Sequence, residues 1–255
     1  MNTLDRYNNQ ILAKQYDLSE QGSNNNDVEF YSKLLKNTNK ALELGCGTGR
    51  ITIPLKKIGI NIDGIDFANE MIKIAKKKAN QEGLDISFKV DNAINFKSKD
   101  KYDSIIFTYN SLVMLSKKDI ITFINNLKKN LEEDGLFAFD ISIPNKKYNK
   151  LPLLTKKDWS LPILIKELGV SLRRKITTKI SKDRKKTEIT YVWEITYRNK
   201  KQKIIKTKVV FLKEELNWYI NLFKKYNFVL KEKNILKNKD KAMDHVFIVF
   251  KNKNI

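Results

Sequence analysis

One cysteine and one histidine in 255 residues leave little material for thiol or metal chemistry. Cys46 has no partner for an internal disulfide, and His245 alone cannot build a multi-histidine metal site. No stretch approaches the roughly 18 consecutive apolar residues of a membrane span. The opening MNTLDRYNNQ lacks the apolar core of a signal peptide. The expectation is therefore a cytoplasmic, metal-free protein without a membrane. Arginine is also scarce: only Arg6, Arg50, Arg173, Arg174, Arg184 and Arg198 among 50 basic residues. Against these shortages stand 41% apolar and 10% aromatic residues, enough to bury a core and to argue against disorder. The length suits one large domain, or one domain carrying an insertion.

The formal charge is +21, and it is unevenly placed. Residues 1–150 hold 23 cations and 19 anions, whereas residues 151–255 hold 27 and 10. Such an excess suits an anionic partner, either RNA or an anionic small substrate. It equally suits the lysine, asparagine and isoleucine usage of A/T-rich codons, spread over solvated faces. Proteins that grip phosphate favour the bidentate fork of arginine, which is rare here.

The apolar period changes along the chain. After a polar start with Tyr7 and Tyr16 comes the coil-like run QGSNNND at 21–27, and Asp27 is placed to cap a short helix, VEFYSKLLKN. Strands then alternate with helices. Strands are expected at 40–44, 61–66, 86–90, 102–107 and 136–141, and helices at 50–57, 69–81 and 118–130. This alternation predicts an α/β fold, a mostly parallel sheet with helices on both faces. Near residue 150 the pattern breaks. Residues 171–181, 187–197 and 203–212 alternate with period two between the charged turns KDRKK and RNKK, an antiparallel three-stranded meander. A helix at 213–225, ended by Asn227 in a left-handed conformation, precedes two last strands at 228–232 and 245–250. The divisions are thus 1–150 for an N-terminal segment and nucleotide-binding core, 151–212 for a basic β insertion, and 213–255 for elements completing a seven-stranded sheet.

The chemistry concentrates in Glu43-Leu44-Gly45-Cys46-Gly47-Thr48-Gly49. A strand feeding a glycine-rich turn into a helix lets a ligand approach the backbone beside unpaired amides. The next strand ends at Asp66, whose carboxylate can accept hydrogen bonds from two ribose hydroxyls. An adenosine-type ligand across the carboxyl edge of the sheet follows. The third glycine is misplaced for a dinucleotide fingerprint, and no GK[ST] follows for a phosphate loop. Glu43 would repel a pyrophosphate but suits a ligand bearing an ammonium and a sulfonium, and S-adenosylmethionine is such a ligand.

Over roughly residues 27–145 the chain resembles the class I, Rossmann-like S-adenosylmethionine-dependent methyltransferases, whose first motif looks like ELGCGTG. The resemblance implies that Gly45, Cys46, Gly47 and Gly49 form the turn beneath the methionine and ribose, with Glu43 helping to hold the amino group. It implies Asp66 on the ribose, Phe67 and Met71 near the adenine, and Asp91 and Asn92 at the adenine amino group and ring. Thr108, Tyr109, Asn110 and Ser111 take the position after the fourth strand that faces the transferable methyl. Tyr16 resembles a tyrosine that closes over the cofactor carboxylate. Bland roles stand beside these: Cys46 as a packed small residue, Phe67 and Met71 as helix-face core, Asp91 as a strand-end acid.

The layout DVEFY…ELGCGTGRITIPL…GIDFANEM…YNSLVML…FDISIPN is similar to a small-molecule branch that includes amine N-methyltransferases. In that branch a meander after the fifth strand covers the substrate or joins subunits. The resemblance implies a methyltransferase acting on a small molecule at nitrogen rather than oxygen, releasing S-adenosylhomocysteine. Tyr109 and Asn110 are the candidates for positioning the acceptor, Tyr109 also as an aromatic face toward a cationic centre. Tyr191, Trp193 and Tyr197 share one face of the meander, which either supports a homodimer or packs on the core. His245, at the start of the last strand, is a packing or capping residue before it is a base. Two rivals remain. One is an RNA methyltransferase gripping phosphates with the basic insertion, and the other a non-catalytic module that binds S-adenosylmethionine without turnover.

Overall fold

The computed structural model describes residues 6–20, 26–238 and 240–253, so residues 21–25 of the expected coil lie outside it. The chain begins with α1 (Gln10–Glu20) and α2 (Asn26–Leu34). Five strands and three helices follow: β1 (Ala41–Leu44), α3 (Thr52–Lys57), β2 (Ile62–Asp66), α4 (Asn69–Gln81), β3 (Phe88–Val90), β4 (Tyr102–Phe107), α5 (Lys117–Asn130) and β5 (Leu131–Pro144). A second group comprises β6 (Leu154–Lys157), β7 (Ile163–Ile165), β8 (Val170–Ile180), β9 (Lys186–Tyr197) and β10 (Gln202–Leu212). α6 (Leu216–Lys225), β11 (Phe228–Leu236) and β12 (Met243–Asn252) close the chain.

Seven strands form one sheet in the order β11-β12-β5-β4-β1-β2-β3. β3, β2, β1, β4 and β5 are mutually parallel, and β12 enters antiparallel between β5 and β11. β1 carries four consecutive buried residues, the mark of a strand covered on both faces. α4 and α5 present buried stripes to the sheet, among them Met71, Ile72 and Ala75, and Ile120, Phe123, Ile124 and Leu127. The chain order reverses between β1 and β4, so the carboxyl ends of those strands open a crevice, the usual place for a ligand in such sheets.

The second sheet runs β10-β9-β8-β6, with β7 also on β8. The three long strands lie within a residue of their expected bounds. β6 and β7 are additions: LTKK and ILI are too short to show a period, and they pair with β8 only through tertiary contact. α6 starts at Leu216 rather than 213, because the Lys213 amide donates to the Lys185 carbonyl at 2.8 Å and prolongs the sheet edge. Asn227 has φ 64°, as a residue closing a helix in the left-handed region should. Asp27 is not the cap of α2 but a first-turn residue, paired with Arg50 at 2.6 Å.

α1 was not legible in the sequence. It is capped by Asn9, whose side-chain oxygen accepts from the Leu12 amide at 3.1 Å. Leu12 packs with Trp193, Ile195, Leu172 and Ile205 of the second sheet. Ala13 packs instead with Ala68 and Met71, and Asp17 pairs with Lys78 of α4 at 2.8 Å. Burial on two sides erases the single apolar stripe on which helix recognition relies. The aromatic face of the meander thus packs inside the molecule: Trp193 is 1% exposed, its indole donates to Thr207 at 3.1 Å, and Tyr191 stacks on it at 5.7 Å. Of the stripe, Trp193 is buried, and Tyr191 and Tyr197 are half-buried against the same cluster.

Candidate active site

β1 delivers Gly45-Cys46-Gly47-Thr48-Gly49 to the carboxyl edge of the sheet in a bend tied down from below. The Cys46 amide donates to the Ile65 carbonyl at 3.0 Å and the Gly49 amide to the Cys46 carbonyl at 2.9 Å. Gly49 sits at φ 79°, and a Cβ there would come within 2.8 Å of Ile53. Gly47 sits at φ 55°, and a Cβ there would point into open cavity, meeting only the Tyr16 ring at 3.9 Å. The bend is therefore a cradle whose floor is backbone and whose cover is Tyr16.

Asp66, at the end of β2, is 7% exposed and faces this cradle. One carboxylate oxygen accepts from the Gly47 amide at 2.9 Å and the other from the Ala68 amide at 2.8 Å. Burial pushes its pKa up to about 6, against the opposing pull of those two amides. Each oxygen keeps acceptor capacity for a hydroxyl.

Glu43 has a different place from the one expected. It is 1% exposed, and its carboxylate accepts hydrogen bonds from the Thr52 hydroxyl and, at 2.6 Å, from the Thr108 hydroxyl. Burial raises its pKa, and the two hydroxyls oppose the rise. Glu43 and Thr108 thus clamp β1, α3 and the end of β4 together behind the cavity wall. Cys46 and Gly49 also lie behind it. Cys46 packs with Ile53, Ile72, Ala75 and Phe88, and burial holds its thiol well above the usual range, so it is a packed residue and not a nucleophile.

The cavity itself has a volume of about 800 Å³, in the upper part of the range of roughly 300–1,000 Å³ typical of small-molecule sites. Tyr16, Gly45, Gly47, Asp66, Phe67, Met71, Asp91 and Asn92 line one end. Tyr7 joins them, edge-on to Tyr16 at 6.0 Å and to Phe67 at 6.1 Å. Met71 is both cavity wall and helix core, being 1% exposed. Asp91 accepts from the Asn92 amide at 2.7 Å, and Asn92 in turn accepts from the Ile94 amide at 2.9 Å, which fixes the rim.

The turn after β4 lines the other end. Tyr109 and Asn110 have φ of 57° and 59°, two successive side-chain-bearing residues in a region they rarely enter. Asp140 of β5 holds them there: it is 1% exposed and accepts from the Tyr109 amide at 2.8 Å, the Asn110 amide at 3.2 Å and the Tyr31 hydroxyl at 2.9 Å. Burial raises the pKa of Asp140, opposed first by His245, whose Nε2 stands 3.5 Å away. The Asn110 side-chain oxygen accepts from the Ser142 amide. One face of Tyr109 already carries a cation, the Arg50 guanidinium at 4.5 Å. His245 is off the cavity wall, paired with Asp140 and edge-on to Phe247 at 4.8 Å.

With this geometry in hand, residues 41–135 match the protein family described as "Methyltransferase domain". Over that stretch the chain is similar to a methyltransferase domain. Among curated proteins, the ubiquinone biosynthesis O-methyltransferase of Pelagibacter ubique (strain HTCC1062) is 35% identical over 109 residues, 43% of this chain and 44% of that enzyme. The ribosomal protein L11 methyltransferase of Dictyoglomus thermophilum (strain ATCC 35947 / DSM 3960 / H-6-12) is 27% identical over 111 residues, 43% of this chain and 35% of that one. The match spans less than half the length of these curated relatives. Among solved structures, the CcbJ methyltransferase from Streptomyces caelestis superposes with a TM-score of 0.70 at 17% identity over 98% of both chains. The sugar N-methyltransferase KedS8 from Streptoalloteichus sp. ATCC 53650 does so with a TM-score of 0.70 at 11% identity, over 94% of this chain and 93% of that one. The fold is the Rossmann-like fold of class I S-adenosylmethionine-dependent methyltransferases.

The fold brings together most of the residues singled out in the sequence, but three partners were not read there. Asp140 sits inside the apolar fifth strand and was given no role. Tyr31 looked like one more apolar position of α2, and Tyr7 lay in a stretch without period. Only the unusual turn geometry at Tyr109 and Asn110, invisible in sequence, demands a buried acceptor such as Asp140.

Proposed function

We propose that the chain is an S-adenosylmethionine-dependent methyltransferase acting by in-line displacement on a small-molecule acceptor, at nitrogen rather than oxygen. One observation carries this reading: a single cavity presents the glycine cradle, Asp66 and the Tyr109–Asn110 turn to one another at the carboxyl edge of the sheet. Bound there, S-adenosylmethionine supplies an electrophilic methyl group, leaving S-adenosylhomocysteine. Asp66 accepts the ribose hydroxyls, and the Gly47 backbone, free of a Cβ, permits close approach beneath Tyr16. Asp91 and Asn92 hold the adenine edge. Tyr109 and Asn110 orient the acceptor, and orientation alone is worth up to roughly 7–11 kcal/mol in favourable intramolecular analogues.

A neutral amine needs no strong base at the moment of attack, which fits a cavity wall that holds no histidine among the described residues. The sugar N-methyltransferase among the solved structures supports nitrogen, whereas the ubiquinone enzyme is an O-methyltransferase. The deciding experiment offers labelled S-adenosylmethionine to cell extract separated into small-molecule and RNA fractions. Label is expected in the small-molecule fraction; label in RNA alone overturns the assignment, and none in either leaves a binding module without turnover. Asp66→Ala should weaken S-adenosylhomocysteine binding by roughly 1.5–3 kcal/mol for each carboxylate hydrogen bond lost, and unchanged affinity in calorimetry would remove the ribose role.

The RNA reading retains one specific support. On the outward face of the second sheet, Trp159 lies between the Arg173 guanidinium at 4.9 Å and the Lys175 ammonium at 4.8 Å, an arrangement that suits an anionic partner with stacking bases.

A further inference from the structure

The acceptor end of the cavity is largely apolar, and beside its neutral polar groups it carries one carboxylate, Asp119, and one cation. Leu151, Ile180, Ile189, Phe211 and Met243 supply the apolar wall. Tyr148 and Thr187 hydrogen bond to each other through their hydroxyls at 2.8 Å, so they are largely satisfied. The cation is Lys213, at the corner where the second sheet rejoins the core. Its backbone is fixed by the bond to Lys185, and its ammonium lies 5.4 Å from the centroid of the Phe211 ring.

Among the described residues, no carboxylate forms an ion pair with Lys213. Its neighbour Glu214 pairs with Lys117 at 2.8 Å, and Asp119 is engaged by Ser116 at the start of α5. Asp66 and Asp91, the other acids on the wall, belong to the cradle end. Burial lowers the Lys213 pKa to about 8. The ammonium is still protonated at neutral pH. A half-buried charge without an ion-pair partner among the described residues, on a largely apolar wall, is unfavourable in the free protein. A ligand that brings the missing negative charge removes that penalty.

We propose that the acceptor is an amphipathic small molecule bearing a carboxylate, and that Lys213 pairs with this group while the surrounding apolar wall takes its body. The inference rests on the methyl-transfer reading of the cavity and deepens it by naming the acceptor class. A single ammonium is a point charge, matched to one negative charge rather than to the two of a phosphate monoester, for which arginine forks are better suited. Lys213 then fixes the distance between the anion and the nitrogen to be methylated, so it is a specificity-determining residue.

The test uses two probes with the same apolar stem, 4-phenylbutyrate and 4-phenylbutyramide, titrated at neutral pH onto the protein saturated with S-adenosylhomocysteine. The carboxylate is expected to bind about tenfold or more tighter than the amide. Lys213→Met, which keeps the aliphatic stem, should reduce the preference to less than about twofold, and Lys213→Arg should retain it. Affinity for S-adenosylhomocysteine in each variant reports that the fold is intact. Equal or absent binding of the two probes, or a preference that survives in Lys213→Met, overturns the proposal. Failure of the wild-type protein to bind S-adenosylhomocysteine would count against the methyl-transfer reading instead, because the same probe pair on the protein alone still reads the preference that Lys213 imposes.

Discussion

Two aspartates govern the site from opposite directions. Asp66 points into the cavity, and under the proposed ribose role its pKa of about 6 in the free protein sets a pH limit on cofactor binding. The ribose hydroxyls need the ionised carboxylate, so affinity for S-adenosylhomocysteine should be flat above that value and fall toward tenfold per pH unit below it. The sign for stability is the reverse. A carboxyl whose folded pKa is raised from 3.8 binds its proton more tightly folded than unfolded, so its contribution to stability is greatest in acid and is lost as pH rises from about 4 to about 6. Calorimetric titration across this range in wild type and Asp66→Asn checks both statements, since the substitution should flatten the affinity profile. Asp140 points into the protein. Asp140→Asn replaces an acceptor-only group, and an amide cannot accept from the Tyr109 and Asn110 amides and the Tyr31 hydroxyl together. The turn should relax, and kcat should fall on the order of 100-fold, the scale of a 1 Å misplacement. Because Asp140 is off the cradle, the dissociation constant for S-adenosylhomocysteine should move less than about twofold.

At the scale of elements, the unexpected piece is α1, held between the second sheet and α4. Leu12 reaches Trp193 on one side while Ala13 and Tyr16 reach Met71 on the other. The cover over the glycine cradle is therefore positioned in part by residues off the cavity wall, Leu12, Ala13 and Trp193. Trp193→Ala should destabilise the protein by roughly 3–5 kcal/mol, and it should also weaken cofactor affinity by letting α1 drift. Thermal melts with and without S-adenosylhomocysteine separate the two effects, since an intact cover would leave the ligand-induced rise in Tm unchanged. What could be read from the sequence follows from the same physics. The sheet strands and the glycine bend were legible because each carries a local signature: period two, unbroken apolar runs, or glycines where only glycine serves. Asp66 was legible by its spacing from that bend. α1, β6, β7 and the inward role of Asp140 were not: α1 is buried on two sides, β6 and β7 are too short to show a period, and Asp140 takes its meaning from Tyr31, Tyr109 and Asn110 on other elements. Glu43 shows the converse, since its motif predicts a ligand contact where the fold uses it as an internal clamp.

Over the whole molecule, the charge of +21 and the cavity are separate features. The cavity wall holds Lys213 as its one cation among the described residues. The remaining C-terminal positive charge lies largely outside, on the face of the second sheet where Arg173 pairs with Glu194 and Lys208 with Glu188. Exposed pairs of this kind contribute little, about 0–1 kcal/mol. If the excess charge only solvates that face, transfer RNA should bind weakly, and Lys175→Gln with Lys179→Gln should leave turnover of the small acceptor within about twofold. Steep salt-dependent binding lost in that double variant would instead revive the RNA reading, as a filter-binding series from low to moderate salt would reveal.

One strand of the second sheet has a longer reach than its packing suggests. On β9, Thr187 and Ile189 face the cavity, while Trp193 and Ile195 on the same side grip α1. The alternation that binds the two sheets through α1 thus also furnishes part of the cavity wall. Under the proposed reading, drift at positions 187 and 189 retunes the acceptor while the glycine cradle and Asp66 stay untouched, which gives this architecture a way to change customers without changing its fuel.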